Sequence, residues 1–291
     1  MIFDNIITRE PIDKGFSGDK KFCGTAADGT RYLLRISPMT KHEQRKDLFH
    51  IMQRVAAAGV PMCAPLEFGV CADGVYAIHE WVYGKDLEDA LPTLPHDEQY
   101  ALGLMAGGLL KKMHGIPAPD TQESWARKFN QKIDIRIAKY RDCGLHFKGD
   151  EHVIAYINQN RHLLNNRPQS FQHGDYHVNN LMLEGGGLRV IDFCRYDFGD
   201  PWEEFTSITW CVEASPPFAV GRIHGYFNGE PPTEFFNLLA LYIASTALSS
   251  IYWAIPFGQE QIDIMINQAH DVLTWFDNMQ NPVPTWYNKG S

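Results

Sequence analysis

The run His173-Gly174-Asp175-Tyr176-His177-Val178-Asn179-Asn180 gathers a carboxylate, imidazoles and amides on one short stretch, and Ile191-Asp192-Phe193 adds a second carboxylate. Phosphoryl transfer to an alcohol uses such parts: a base accepts the hydroxyl proton, while an amide oxygen and a carboxylate hold Mg2+ against the phosphates of a nucleotide. Magnesium prefers oxygen ligands and keeps several waters, so two side chains suffice. A second chemistry is open to the same stretch. His173, Asp175 and His177 alternate, and imidazole and carboxylate so spaced could hold zinc and activate its bound water, as in a metal-dependent hydrolase. No further histidine cluster stands nearby to complete that set. A plain polar turn explains one or two of these residues, but not their joint spacing with Asp192.

Elements to position these groups can be read from pattern. The first third is β-rich: strands are expected at 20–27 and 30–36 around Asp28-Gly29, a two-residue hairpin signal. A helix is expected over 41–58, with Leu48, Ile51, Met52 and Val55 on one face and Gly59 as its stop. Strands follow at 66–71 and 75–82. From Gly84 the character changes, with helices expected at 100–114, 125–143 and 151–165. The polar loop 172–180 leads into a short hairpin, 181–183 and 188–193, turning through Gly185-Gly186-Gly187. From Trp202 the chain again reads as helical. This predicts an α+β fold of two lobes, a sheet-bearing one over 1–83 and a larger helical one over 84–291.

The spacing H-x-D-x-x-x-x-N from His173 to Asn180 matches the catalytic loop of protein kinases. In detail the segment resembles the aminoglycoside phosphotransferase family, whose H-G-D-x-H-x-x-N precedes a hairpin and I-D-F. Gly199-Asp200-Pro201 resembles that family's G-D-P signature. The resemblance covers nearly the whole chain in element order, and specific motifs between His173 and Glu204. It implies a protein-kinase-like bilobal fold, with a nucleotide-binding lobe over 1–83 and a catalytic and substrate-binding lobe over 84–291. It implies a small-molecule kinase that moves the γ-phosphoryl group of ATP or GTP to a hydroxyl.

Carried over by position, the resemblance makes Asp175 the base and Asn180 and Asp192 the Mg2+ ligands, with His173 fixing the loop by hydrogen bonding. The family's phosphate-gripping lysine falls at Arg35, whose guanidinium can hold phosphate through two parallel bonds. Lys20 and Lys21 are alternatives, and Arg35 could instead be a snorkelling strand residue. An acid on the first helix should partner that cation, Glu43 ahead of Asp47. Gly15-Phe16-Ser17-Gly18 reads as a flap over the nucleotide, with Ser17 and backbone amides near phosphate. Glu80-Trp81-Val82 falls at the hinge that meets the purine edge. Asp197, Asp200 and Glu203, with Glu204, are the acceptor-side acids, beside Trp202, Trp210, Tyr252 and Trp253. Asp200 and Glu203 could equally cap a helix. The arginine at position 35 also keeps open a non-catalytic, kinase-like nucleotide-binding protein.

The bulk composition bounds the partners. A formal net charge of −9 argues against nucleic acid and suits a cationic small-molecule alcohol. The six cysteines form no C-x-x-C pair and read as reduced thiols of a cytoplasmic protein. Residues 1–10 do not resemble a signal peptide. The uncharged run 235–255 approaches membrane-spanning length, but its Asn and Ser content suits a buried helix, with no membrane association. The acceptor, the choice of ATP or GTP and the oligomeric state stay open.

Overall fold

The computed structural model describes residues 1–13 and 18–287. A short helix α1 (Ile2–Asn5) leads into strand β1 (Ile6–Pro11). β2 (Lys20–Ala26) and β3 (Arg31–Ser37) form the expected hairpin, whose turn places Gly29 at φ 84° while the Asp28 carboxylate accepts from Thr30 N at 2.9 Å. Helix α2 (His42–Ala57) follows, then β4 (Pro65–Cys71) and β5 (Gly74–Glu80). The antiparallel sheet runs β1-β2-β3-β5-β4. α2 buries Leu48, Ile51, Met52 and Val55, as its apolar spacing requires. β1 was not anticipated: beyond Ile6 its residues are exposed on an edge strand, so no apolar alternation marks it. β5 ends at Glu80, two residues short of the expected 75–82 strand.

The larger part opens with β6 (Lys85–Asp86), α3 (Leu87–Ala90), α4 (His96–His114), α5 (Trp125–Asp142) and α6 (Asp150–Asn160). Beyond α6 the expected helix tightens into a 3-10 turn at Arg161–Leu164. β7 (Ser170–Gln172) precedes the polar loop, and β8 (Leu181–Glu184) and β9 (Gly187–Val190) form the hairpin after it. Gly185 and Gly186, at φ 58° and 80°, make its tight reversal. β10 (Asp197–Gly199) returns to pair with β7. Helices α7 (Ile208–Ala214), α8 (Pro216–Phe227), α9 (Thr233–Ala254) and α10 (Gln259–Trp275) complete the core. α9 carries the uncharged run; it packs against α5, α6 and α10, and most of it is buried.

Hydrogen bonds on two sides position the polar loop and its hairpin. After α2, Cys63 N donates to Val190 O at 3.2 Å and Val190 N to Pro61 O at 2.9 Å, which ties β9 to the sheet-bearing part. On the other side, the Tyr176 hydroxyl donates to Ala106 O of α4 at 2.8 Å. α4 lies close against α8 because glycines face glycines: Gly103 and Gly107 oppose Gly221 and Gly225. A methyl at Gly107 would lie 2.1 Å from Arg222 O, whereas one at Gly108 meets nothing within 4 Å. Gly107→Ala should therefore lower unfolding stability by about 1–3 kcal/mol or more through overpacking. Gly108→Ala should be neutral or raise it by about 0.5–1 kcal/mol, since alanine is the better helix residue. Chemical denaturation of the two variants checks the contrast.

Candidate active site

The loop from His173 to Asn180 leaves β7 in the interior, so its backbone groups need partners other than water. Glu204, just past the Gly199-Asp200-Pro201 turn, supplies them. Its buried carboxylate accepts from His173 N at 2.7 Å and Gly174 N at 2.6 Å, and His114 Nε2 lies 3.3 Å away. Burial by itself would raise this carboxyl, but the His114 bond and charge, His173 and the Gly174 amide outweigh it and hold it below the ordinary range. His173 is fully buried: Nε2 donates to Ile191 O at 2.9 Å and Nδ1 accepts from Asp175 N at 3.3 Å. Burial depresses its pKa, and the two bonds fix the orientation of the ring. Behind the loop lies Arg222, buried 4.9 Å from the ring centres of Tyr176 and Phe205, with Nη2 donating to Glu204 O at 3.2 Å. Ser207 Oγ donates to Tyr176 O at 2.6 Å.

This framework holds the Asp175 and Asn180 side chains in contact and brings the segment bearing Asp192 alongside them. Asn180 Nδ2 donates to Asp175 O at 2.8 Å and to Asp175 Oδ2 at 3.1 Å, so its amide nitrogen is committed and its Oδ1 is the atom suited to a cation. Ile191 N donates to Asn180 O at 3.0 Å, which seats Asp192 beside Asn180 at the open end of the hairpin. Asp192 adopts φ 60°, ψ 68°, a left-handed conformation that aspartate tolerates better than most residues. Burial would raise both carboxyls. At Asp175 the bond and charge of His177, then Arg195 and His173, hold it below the usual range; at Asp192 Arg35, Cys194, Lys21 and His173 do so. His177 Nε2 lies 3.3 Å and Arg195 Nη1 3.5 Å from Asp175 Oδ1.

Arg35 is not a solvated strand residue. Its Nη1 lies 3.5 Å from Asp192 Oδ1 and its Nη2 3.3 Å from Asp19 Oδ2. Lys21 is its cross-strand neighbour on the same face, while Lys20 is exposed. The acid expected on α2 is not there. Glu43 is 79% exposed and contacts His42 at 2.7 Å, and Asp47 is also exposed. They occupy the outer face of α2; the helix turns Arg45 inward instead, 2.7 Å from Asp19. Register marks Asp19: with Lys20 opposite Ile36, the residue before β2 falls beside Ser37. Ser17 lies outside the described residues. Glu80 N donates to Ala64 O at 2.8 Å and Tyr83 N to Glu184 Oε1 at 2.8 Å, so Val82 spans a link anchored at both ends.

The acceptor-side acids separate. Asp200 is fully buried and cannot meet a substrate: it accepts from Arg167 at 2.7 and 3.1 Å, Tyr242 at 2.6 Å and Trp202 N at 3.0 Å. Glu204 is the loop anchor described above. Glu203 pairs with Lys132 at 3.2 Å and Gln172, while Asp197 pairs with Lys128 at 2.7 Å near the surface. Trp202 packs on Arg167, Phe227 and Phe235, whereas Trp210 and Trp253 are exposed and Tyr252 half-buried. The zinc set is not assembled: both His173 nitrogens are committed, and among the described residues no three His, Cys, Asp or Glu side chains converge as a metal cluster.

A sheet-bearing lobe against a helical lobe, joined around this loop, defines a protein-kinase-like fold. The model of the phosphotransferase enzyme family matches residues 8–236, and the chain belongs to that family. Among solved structures, a thermostable mutant of aminoglycoside phosphotransferase APH(4)-Ia aligns at 16% identity and TM-score 0.67, covering 93% of this chain and 95% of that one. A choline/ethanolamine kinase family protein from Mesorhizobium loti aligns at 15% identity and TM-score 0.68, covering 94% and 91%. The gentamicin complex of APH(2")-IIa aligns at 18% and TM-score 0.64, covering 91% of each chain. These likenesses are of fold. Comparison with curated protein sequences gives no match.

Glu204→Gln tests the anchor, because His173 N and Gly174 N donate to different carboxylate oxygens and the amide would set its NH2 against one of them. It should destabilise the protein by about 2–4 kcal/mol at neutral pH. The native carboxyl is depressed, so its contribution is present above the ordinary value of 4.5 and is lost as pH falls through the lower folded value. Denaturation from pH 7 down should show the two proteins converging below pH 4.5.

Proposed function

We propose that the protein transfers the γ-phosphoryl group of ATP or GTP to a hydroxyl of a small molecule. The observation that carries this reading is the grouping of Asp175, Asn180 and Asp192 through the Asn180 bonds and the Ile191–Asn180 pairing. Structural neighbours include a ternary complex of APH(4)-Ia with ADP and hygromycin B and one of APH(2")-IIa with streptomycin and ATP, which support a nucleotide and a small-molecule acceptor. Residues 1–83 serve as the nucleotide lobe and 84–291 as the catalytic and substrate lobe. The six cysteines are free thiols, which supports a cytoplasmic setting.

In this reading Asp175 accepts the proton of the acceptor hydroxyl. Its depressed pKa keeps it ionised at neutral pH, and a weak base is enough because the transition state is loose. The acceptor oxygen forms its bond to the γ-phosphorus as the bond to the leaving nucleoside diphosphate breaks. Asn180 Oδ1 and the Asp192 carboxylate are the hard oxygen ligands that would hold Mg2+, which neutralises phosphate charge when bound. Arg35 grips phosphate oxygens, and the backbone of Glu80-Trp81-Val82 meets the purine edge. Glu203 and Asp197, each already beside a lysine, remain the acids on the acceptor side.

The test is phosphoryl transfer from Mg-ATP and Mg-GTP to aminoglycosides, macrolides and small amino alcohols. Asp175→Asn should lower turnover by about 10²–10⁴-fold with nucleotide affinity kept. Asp192→Ala and Asn180→Ala should remove the magnesium-dependent rate. Near-normal transfer by Asp192→Ala would falsify the assignment.

A further inference from the structure

A fully buried acid is costly unless donors converge on it, and Asp19 is such a group. Its side chain has 0% exposure, and it accepts from Ser37 Oγ at 2.7 Å, Arg45 Nη2 at 2.8 Å and Arg35 Nη2 at 3.3 Å, with Lys41 Nζ at 4.0 Å. Burial would raise its pKa, but the Ser37 and Arg45 bonds and the two guanidinium charges hold it below the ordinary range. Asp19, Arg35, Ser37, Arg45 and Asp192 line one pocket between β3, β5 and α2. His79 lines it too but adds no charge, because burial and then Arg35 drive its pKa down to about 3. Cations and carboxylates therefore alternate as Arg45, Asp19, Arg35 and Asp192.

We propose that Asp19 is the positioning carboxylate for Arg35, tied to α2 through Arg45, and takes the place of an acid on that helix. The inference rests on the reading of Arg35 as the phosphate-gripping residue. The fork of Arg35 is divided: Nη2 faces Asp19 and Nη1 faces Asp192. A phosphate oxygen that competes for Nη1 leaves the Nη2 contact in place, so the guanidinium plane stays oriented. The usual polarity of such a pair is reversed, with the acid coming from the residue just before β2 and the helix supplying a cation. Arg45 also reaches Ser37 Oγ through Nε at 3.0 Å, which holds α2 against the same strand.

The experiment is equilibrium titration of the full chain with Mg-ATP and Mg-GTP, alongside steady-state kinetics. Asp19→Asn should weaken nucleotide binding on the order of tenfold to a hundredfold, the worth of a charge-assisted bond. The KM of the acceptor should not move. On an Arg35→Gln background Asp19→Asn should add little, since both act through one guanidinium. Ser37→Ala, which spares the charges, should weaken nucleotide binding about threefold to tenfold. Glu43→Gln and Asp47→Asn should bind as the unaltered protein does. The proposal is overturned if Asp19→Asn or Ser37→Ala leaves nucleotide affinity unchanged, if the Asp19 penalty adds in full to that of Arg35→Gln, or if Glu43→Gln reproduces it. Failure of the unaltered protein to bind either nucleotide overturns the phosphotransferase reading, and this assignment with it.

Discussion

Loop backbone carried into a protein interior must find hydrogen-bond partners there, and at the 173–180 loop one carboxylate meets much of that demand. Glu204 takes the amides of His173 and Gly174 together, and His114 lies against the same group. With the start of the loop pinned, His173 can spend its two ring nitrogens on Ile191 O and Asp175 N. That links the loop to the segment bearing Asp192. The spatial relation of Asp175, Asn180 and Asp192 follows from these few buried bonds, with no need for a direct contact between the two carboxylates.

The same economy of charge governs the pocket under the sheet. Arg35 and Asp192 each have a depressed tendency to stand alone in a half-buried setting, and each is met by the other at 3.5 Å. Asp19 and Arg45 extend the alternation to α2. Opposite charges so arranged limit the desolvation penalty of each member. On the helical side the charges are used differently. Asp200 with Arg167, Tyr242 and the Trp202 amide ties the segment after β10 to α9 and to the chain before β7, and so supports the turn from which Glu204 projects.

Close helix packing completes the support. The glycine faces of α4 and α8 let the two backbones approach, which brings Ala106 within reach of the Tyr176 hydroxyl and buries Arg222 beneath the loop. The loop thus rests on closely packed elements with little freedom to shift.

Much of this was legible from residue order because the information is local. Asp28-Gly29 marks the β2–β3 turn, the spacing of Leu48, Ile51, Met52 and Val55 marks α2, and the joint spacing of Asp175, Asn180 and Asp192 marks the loop and hairpin. β1 was not legible, since an exposed edge strand has no buried face to impose a pattern. Nor were the partners of charged groups. Which face of α2 turns inward decided for Arg45 and against Glu43, and burial made Asp200 and Glu204 structural although their spacing resembles a substrate-facing cluster. The chain's own order determined which groups are available and roughly on what element each lies. Only tertiary packing decided which opposite charges share a buried space, because that depends on register, helix rotation and close approach between residues far apart along the chain.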